Sequence, residues 1–340
     1  MLENIALAPY TTLQIGGPAR WFADATNEAE LMEAVSFARE RKLPLFALGG
    51  GSNLLVSDVG FAGLVVRIAM KGIARNGEAF KVAAGEEWDG LVRLAVERDC
   101  AGVECLAGIP GTVGGTPVQN VGAYGQEVSS TIQRVRALDL ESGGFVELSQ
   151  RECGFSYRRS IFNTAAKGRY IVTEVEYKLA QDAAPLVAYA DLRRYFENRA
   201  ERPTLQEVYD AVREIRHGKG MLIVAGESDS RSAGSFFKNP VVPPEAIARI
   251  AAAVGTSLSE VPRYAAGVGM VKLPAAWLLE KAGFSKGFIM GRAGISSRHT
   301  LALINRNGAT AADILALRDR IVEGVEAKFG LRLEQEPVLL

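Results

Sequence analysis

Two glycine-rich stretches and three polar clusters hold most of the chemistry that this chain can offer. The first stretch is Gly49-Gly50-Gly51-Ser52-Asn53, entered from the apolar run Leu45-Phe46-Ala47-Leu48. The second runs from Gly108 to Glu127 and holds Gly108, Gly111, Gly114, Gly115, Gly122 and Gly125, with Pro110 and Pro117 between them. So many breakers exclude a regular helix or strand. Ile109, Val113, Val118, Val121 and Tyr124 are interleaved and demand burial, so the stretch is not a linker. A buried glycine-rich loop lets backbone N–H groups approach a ligand, phosphate above all. The structural alternative is a tight crossing between sheets. Ser52 and Asn53 can hydrogen-bond either the turn or a ligand. Neither stretch is a dinucleotide fingerprint, because no Gly-x-Gly-x-x-Gly opens a helix, and neither is a P-loop, because no Gly-Lys-Ser/Thr follows.

The polar clusters are Tyr157-Arg158-Arg159-Ser160-Ile161-Phe162, Gly234-Ser235-Phe236-Phe237-Lys238-Asn239-Pro240, and the pair Glu334 and Glu336. A guanidinium grips a carboxylate with two parallel hydrogen bonds and keeps its charge. By residue type alone, Arg158 and Arg159 also read as a surface run. Ser235 sits between a glycine and two phenylalanines, a setting that suits a small group at a closed, apolar site. Glu334 and Glu336 lie two apart in a strand predicted over residues 331–336 and stopped by Pro337, so they share a face. A carboxyl kept neutral by burial can donate a hydrogen bond; the plain alternative is two solvated strand carboxylates.

Composition removes several classes. Basic and acidic residues balance at 39 each, which leaves no overall electrostatic case for nucleic acid or an anionic membrane. No apolar run reaches membrane-spanning length, and Met1-Leu2-Glu3-Asn4-Ile5-Ala6 has no signal-peptide core. Cys100, Cys105 and Cys153 show no metal-ligand spacing, and His217 and His299 stand apart from them and from each other. The expectation is reduced packing thiols, no metal, a cytoplasmic protein and a monomer.

The elements that must position these groups form an α+β pattern, not a doubly wound parallel sheet. Asn27 and Glu30 make a capping-box signal before Leu31, Ala34, Val35 and Ala38 at helical spacing. Strands are predicted over 45–48, 54–56, 64–68, 81–84, 135–140 and 170–179. Helices are predicted over 88–98, 205–215 and 275–282. Thr310 and Asp313 open a last helix that Gly330 closes. Pro240, Pro243 and Pro244 exclude helix around them. The main boundary is expected near Glu201 to Pro203.

Taken together, the two loops and the Tyr157–Phe162 and Gly234–Pro240 segments resemble the UDP-N-acetylenolpyruvoylglucosamine reductases, flavoenzymes of bacterial peptidoglycan precursor synthesis. The likeness runs from Thr11-Thr12-Leu13-Gln14-Ile15-Gly16-Gly17 to Glu334-Gln335-Glu336, with four motifs in the family's order. It implies an FAD-binding domain of the vanillyl-alcohol oxidase / p-cresol methylhydroxylase type over 1–182, in two subdomains split near 70. A mobile tyrosine loop and linker would follow over 183–202. A separate α+β substrate-binding domain would span 203–340, its last strand returning to the active site.

The resemblance also implies roles. Non-covalent FAD would lie on Gly49, Gly50, Gly51, Ser52 and Asn53, on Pro110, Gly111, Thr112, Gly114 and Gly115, and on Gln119, Asn120, Gly122, Ala123, Tyr124 and Gly125. NADPH would be the hydride donor and a UDP-sugar enolpyruvyl ether the acceptor. Arg158 and Glu336 would stabilise the enolate carboxylate, and Ser235 would protonate C2, with Arg159 left to the solvent. Tyr189, matching the mobile tyrosine of the family's type I branch, would close over the UDP part. Lys219 and Asn239 would contact the diphosphate and uridine side, with Lys238 an alternative cation. The family's usual Lys-Leu-Pro-Asp-Pro is Lys219-Gly220-Met221-Leu222 here, and Glu336 is followed by Pro337. Other readings are an oxidase on the same FAD domain and a nucleotide-sugar binder without flavin.

Overall fold

The computed structural model describes residues 1–340. The chain divides into two compact units, Met1–Ile5 with Pro18–Gly51 and Phe61–Gly218, and Ala6–Gly17 with Ser52–Gly60 and Lys219–Leu340.

The first unit is built on two sheets. In one, the strands Leu2–Ala6, Pro18–Ala25, Phe61–Ile68 and Leu45–Leu48 lie in that order. Phe61–Ile68 runs parallel to both neighbours, Pro18–Ala25 and Leu45–Leu48. The helix Glu28–Glu40 makes the crossover, and Asn27 caps it by accepting from the Glu30 amide at 2.9 Å. The second sheet is antiparallel, in the order Phe145–Ser149, Ile132–Asp139, Tyr170–Lys178, Ala79–Ala83, Ile73–Asn76. The helix Trp88–Glu97 buries Trp88, Leu91, Val92, Ala95 and Val96 in the core, the larger of them contributing about 1.5–3 kcal/mol each. Trp88 also donates its indole N–H to the Leu106 carbonyl at 3.0 Å.

The second unit has its own core, around the helix Ala311–Phe329. Ile314, Leu317, Ile321, Val325 and Phe329 are buried there at helical spacing. Thr310 and Asp313 form the expected capping box, and Gly330 ends the helix at φ +65°. Asp58 accepts from the Ala311 and Ala312 amides at 2.7 and 3.0 Å, which places a carboxylate at the helix N-terminus. Leu54–Leu55 pairs in parallel with Val338–Leu339, and Asn305 donates to the Leu13 carbonyl at 3.0 Å. These contacts draw residues 6–17 and 52–60 into the C-terminal unit.

The unit boundaries therefore differ from the expected divisions at 182 and 203. The helix Leu205–Gly218 packs Leu205, Val208, Tyr209, Ala211 and Val212 into the first core. Its apolar face needed a partner, and linear order does not say which core supplies one. The last strand differs as well. It lies beyond Pro337, at Val338–Leu339, and not over 331–336. Proline has no N–H, so no ladder continues through it. Before it, Gln335 makes a single antiparallel bridge with Phe237.

Candidate active site

The glycine loops of the first unit meet at close range. A Cβ added to Gly50 would stand 2.6 Å from Gly111 Cα, and one on Gly49 would stand 2.8 Å from Thr112 Oγ1. Only glycine allows two backbones to approach this closely. Gly114 is similarly tight, 2.6 Å from the Ala84 methyl, whereas a Cβ on Gly115 would meet nothing within 4 Å. The amides of Val113 and Gly114 already donate to the Glu86 and Ala84 carbonyls, both at 2.9 Å. The Thr112 hydroxyl is buried with no hydrogen-bond partner. A buried polar atom left unmatched is unfavourable unless something outside the chain completes it.

The loop ends in a two-residue hairpin between Gly122–Ala123 and Gln126–Glu127. Tyr124 and Gly125 form its turn with φ of +48° and +89°, the mirror-image geometry that matches strand twist. Asn120 is fully buried and structurally occupied. Its amide nitrogen donates to Glu127 at 2.8 Å and to the Ser156 carbonyl at 3.1 Å, while its oxygen accepts from the Ser129 amide at 3.1 Å.

Arg158 is positioned against this loop. Ser156 and Arg159 exchange two backbone hydrogen bonds of 3.0 Å, which puts Tyr157 and Arg158 at the tip of a tight turn. Arg158 has φ +56°, an uncommon conformation for a non-glycine residue. Its guanidinium donates to the Gly122 carbonyl at 2.9 Å, and Ser160 donates to the Val118 carbonyl at 2.6 Å. Arg159 is exposed. Tyr189 stands at the N-cap of the short helix Ala190–Tyr195, 44% exposed. Its ring meets that of buried Tyr124 edge to face at 5.5 Å. Burial pushes the Tyr124 hydroxyl up to about 12, opposed by the Arg216 charge.

Sequence reasoning missed Asp89 and Arg216. Asp89 accepts from the Gly108 amide at 2.6 Å, and Arg216 donates to the Gly108 carbonyl at 3.1 Å. Together they fix the start of the loop. Desolvation pulls the Arg216 guanidinium below its ordinary range, with Tyr124 and Asp89 acting against it. Both sit on helices, Trp88–Glu97 and Leu205–Gly218, and only their helical context marked them.

In the second unit, Ser235 and Glu336 lie on two paired segments. The Lys238 amide donates to the Glu334 carbonyl and the Glu336 amide to the Phe236 carbonyl, both at 2.9 Å. Ser235 is half-buried, and no hydrogen bond within the chain engages its hydroxyl. Glu336 is half-buried and Glu334 exposed. Lys238 forms an ion pair with Glu334, and Asn239 accepts from the Ala275 amide at 2.9 Å, at the start of the helix Ala275–Lys281. Both thus have work within the chain. Asn53 donates to the Glu336 carbonyl at 3.3 Å. Ser52 and Asn53 fall in this unit, and Lys219 is half-buried just beyond Gly218.

Residues 19–149 match an FAD binding domain, and residues 226–340 match the C-terminal domain of UDP-N-acetylenolpyruvoylglucosamine reductase. The reductase of Streptomyces coelicolor is 47% identical over 99% of this chain and 89% of its own length. That of Thermobifida fusca is 44% identical, over 99% of this chain and 97% of its own. The chain belongs to the UDP-N-acetylenolpyruvoylglucosamine reductase family. The crystal structure of the reductase from Thermus caldophilus is similar over 100% of this chain and 98% of that one, with a TM-score of 0.68 and 27% identity.

Members of this reductase family are FAD-dependent oxidoreductases, and the residues present fit that cofactor. Gly49 and Gly50 let the two loops meet where no Cβ would fit, and the Thr112 hydroxyl is buried at that junction with no partner in the chain. No group of His, Cys, Asp and Glu side chains is arranged to hold a metal ion. No helix is long and apolar enough to cross a membrane.

Proposed function

We propose that this chain reduces the enolpyruvyl group of UDP-N-acetylglucosamine enolpyruvate to give UDP-N-acetylmuramate, with NADPH as the hydride source. FAD, when bound, supplies the means to accept hydride from NADPH and pass it to C3 of the enolpyruvyl group. Everything else falls to the chain. Hydride arriving at C3 drives negative charge into the adjacent carboxylate, so that carboxylate needs fixed donors. Arg158 fills that role with a permanent charge, and Glu336 is the second group at the enolate carboxylate.

Ser235 delivers the proton to C2. The observation that carries this reading is its hydroxyl, unengaged by the chain and set one residue from the position facing Glu336. A hydroxyl is a weak acid, so it must be polarised by a neighbour or recharged from water. Tyr189 contacts the UDP part, and Lys219 the diphosphate. Lys238, ion-paired with exposed Glu334, is the alternative cation for that task. The reading also puts the protein in the cytoplasm, with a monomer favoured.

Anaerobic flavin titration tests it. NADPH should bleach the flavin absorbance in about one equivalent, and the enolpyruvyl substrate should restore it while oxygen restores it only slowly. Rapid reoxidation by oxygen with none by the substrate would make the protein an oxidase instead.

A further inference from the structure

Leu186 is held by two adjacent side chains. Its amide donates to Glu104 at 2.9 Å, and its carbonyl accepts from the Cys105 thiol at 3.2 Å. Both side chains belong to the 3-10 turn Glu104–Leu106 and are buried, Glu104 to 1% exposure. Leu186 itself lies in irregular chain and keeps 37% exposure, so its backbone is pinned while its side chain meets solvent. Burial raises the Cys105 pKa, with Glu104 adding to the effect, so the thiol stays protonated and remains a donor.

Glu104 has two further partners. It accepts from the Gly102 amide at 2.7 Å and from the Gln126 side chain at 2.8 Å, and Gln126 in turn accepts from the Cys105 amide at 2.8 Å. Gln126 directly follows the Tyr124-Gly125 turn, and Leu186 precedes Tyr189 by three residues. The Leu186 amide and the Gln126 side chain share one oxygen of this carboxylate, so the segments that carry Tyr189 and Tyr124 hang from a single buried acceptor. A buried carboxylate is unfavourable unless its donors are well placed, so the network tolerates little displacement of either segment.

We infer that Glu104 and Cys105 are positioning residues for the UDP moiety, fixing Leu186 as the pivot from which Tyr189 closes. This rests on the reading of Tyr189 as a substrate contact. Glu104 and Cys105 touch neither substrate nor cofactor; they act through Leu186. The chain from Val187 to Tyr189 beyond the pivot is irregular, and Tyr189 then opens the helix Ala190–Tyr195.

UDP alone is the probe, titrated calorimetrically into the FAD-loaded enzyme, with steady-state KM values for the UDP-sugar and NADPH alongside. Glu104→Gln can keep one oxygen for Leu186 and Gln126 only by turning an N–H against the Gly102 amide, and should weaken UDP binding about tenfold; Cys105→Ala should weaken it about threefold. Cys105→Ser, which keeps a donor, should recover part of that loss. The KM for NADPH should stay within about twofold in each. In a Tyr189→Ala background, neither substitution should weaken UDP further. If Glu104→Gln does not fold, Cys105→Ala and its serine rescue decide alone. Tyr189→Ala weakening UDP while both pivot variants leave it unchanged would overturn the inference and spare the Tyr189 reading. Tyr189→Ala with no effect on UDP would remove that reading, and the inference with it. Equal losses for UDP-sugar and NADPH, or losses that persist without Tyr189, would mark a general structural role and overturn the inference.

Discussion

The Glu336 amide donates to the Phe236 carbonyl at 2.9 Å, so Glu336 faces the residue that directly follows Ser235. The bond sits between the single bridge Phe237–Gln335 and Pro337, where the ladder stops. Residues distant in sequence are thereby fixed by one short antiparallel contact. The proposed proton donor and the proposed carboxyl share a backbone frame.

Ser235→Ala separates the two half-reactions. Flavin reduction by NADPH needs no proton at C2, so it should stay within about threefold of normal. Reoxidation by the enolpyruvyl substrate should slow by ~10²-fold, the usual consequence of losing a general acid. Ser235→Cys should restore part of the rate. Stopped-flow absorbance follows each half, and equal slowing of both would make Ser235 a packing residue.

Thr112→Val tests the cofactor cradle with two opposite signs. Removing a buried hydroxyl that has no partner should stabilise the flavin-free protein by about 1 kcal/mol. The same change should weaken FAD binding about tenfold, because the hydroxyl loses the bond it is placed to make. Thermal melts of the flavin-free protein and flavin fluorescence titration give the two numbers. Stronger FAD binding by the valine variant would contradict the assignment.

Acid precipitation should release all the flavin into the supernatant. Neither glycine loop contains a Cys or His to form a covalent link. Cys153 is buried and its thiol is pushed up to about 12, while Cys105 is engaged with Leu186. Neither is a ready nucleophile. Yellow pellets would refute non-covalent binding.

Glu207 gives the stability a defined pH dependence. It accepts from the Arg199 guanidinium at 2.7 Å and the Thr204 amide at 2.8 Å, and the Thr204 hydroxyl accepts from the Glu207 amide at 3.2 Å. Chiefly through Arg199, then Thr204, its carboxyl falls from 4.5 to about 2. A depressed folded-state pKa adds stability that is full above 4.5 and is lost as the pH falls toward 2. Glu207→Gln should therefore melt below the parent at neutral pH, with the gap closing progressively in acid. A gap that is the same at pH values of about 6 and 3 would show that the charge contributes nothing.

The sequence by itself determined what local rules govern. Asn27, Thr310 and Gly330 announced helix ends because capping is a matter of a few neighbouring residues. Glycine density marked both loops, because close backbone approach excludes a Cβ wherever it occurs. The run of predicted strands and helices implied the α+β fold, and motif order implied the family. Tertiary structure decided what depends on partners distant in the chain. The helix Leu205–Gly218 joined the first core because its apolar face met the turn Glu104–Leu106 and the helix Trp88–Glu97. Residues 52–60 joined the second because Asp58 satisfies amides of the helix Ala311–Phe329 and Leu54–Leu55 completes a pair with Val338–Leu339. Lys238 found Glu334, and the Asp89–Arg216 hold on Gly108 came from two helices far apart in sequence. Side-chain type lists the bonds a residue can make, but which bond is made depends on what folding brings within reach.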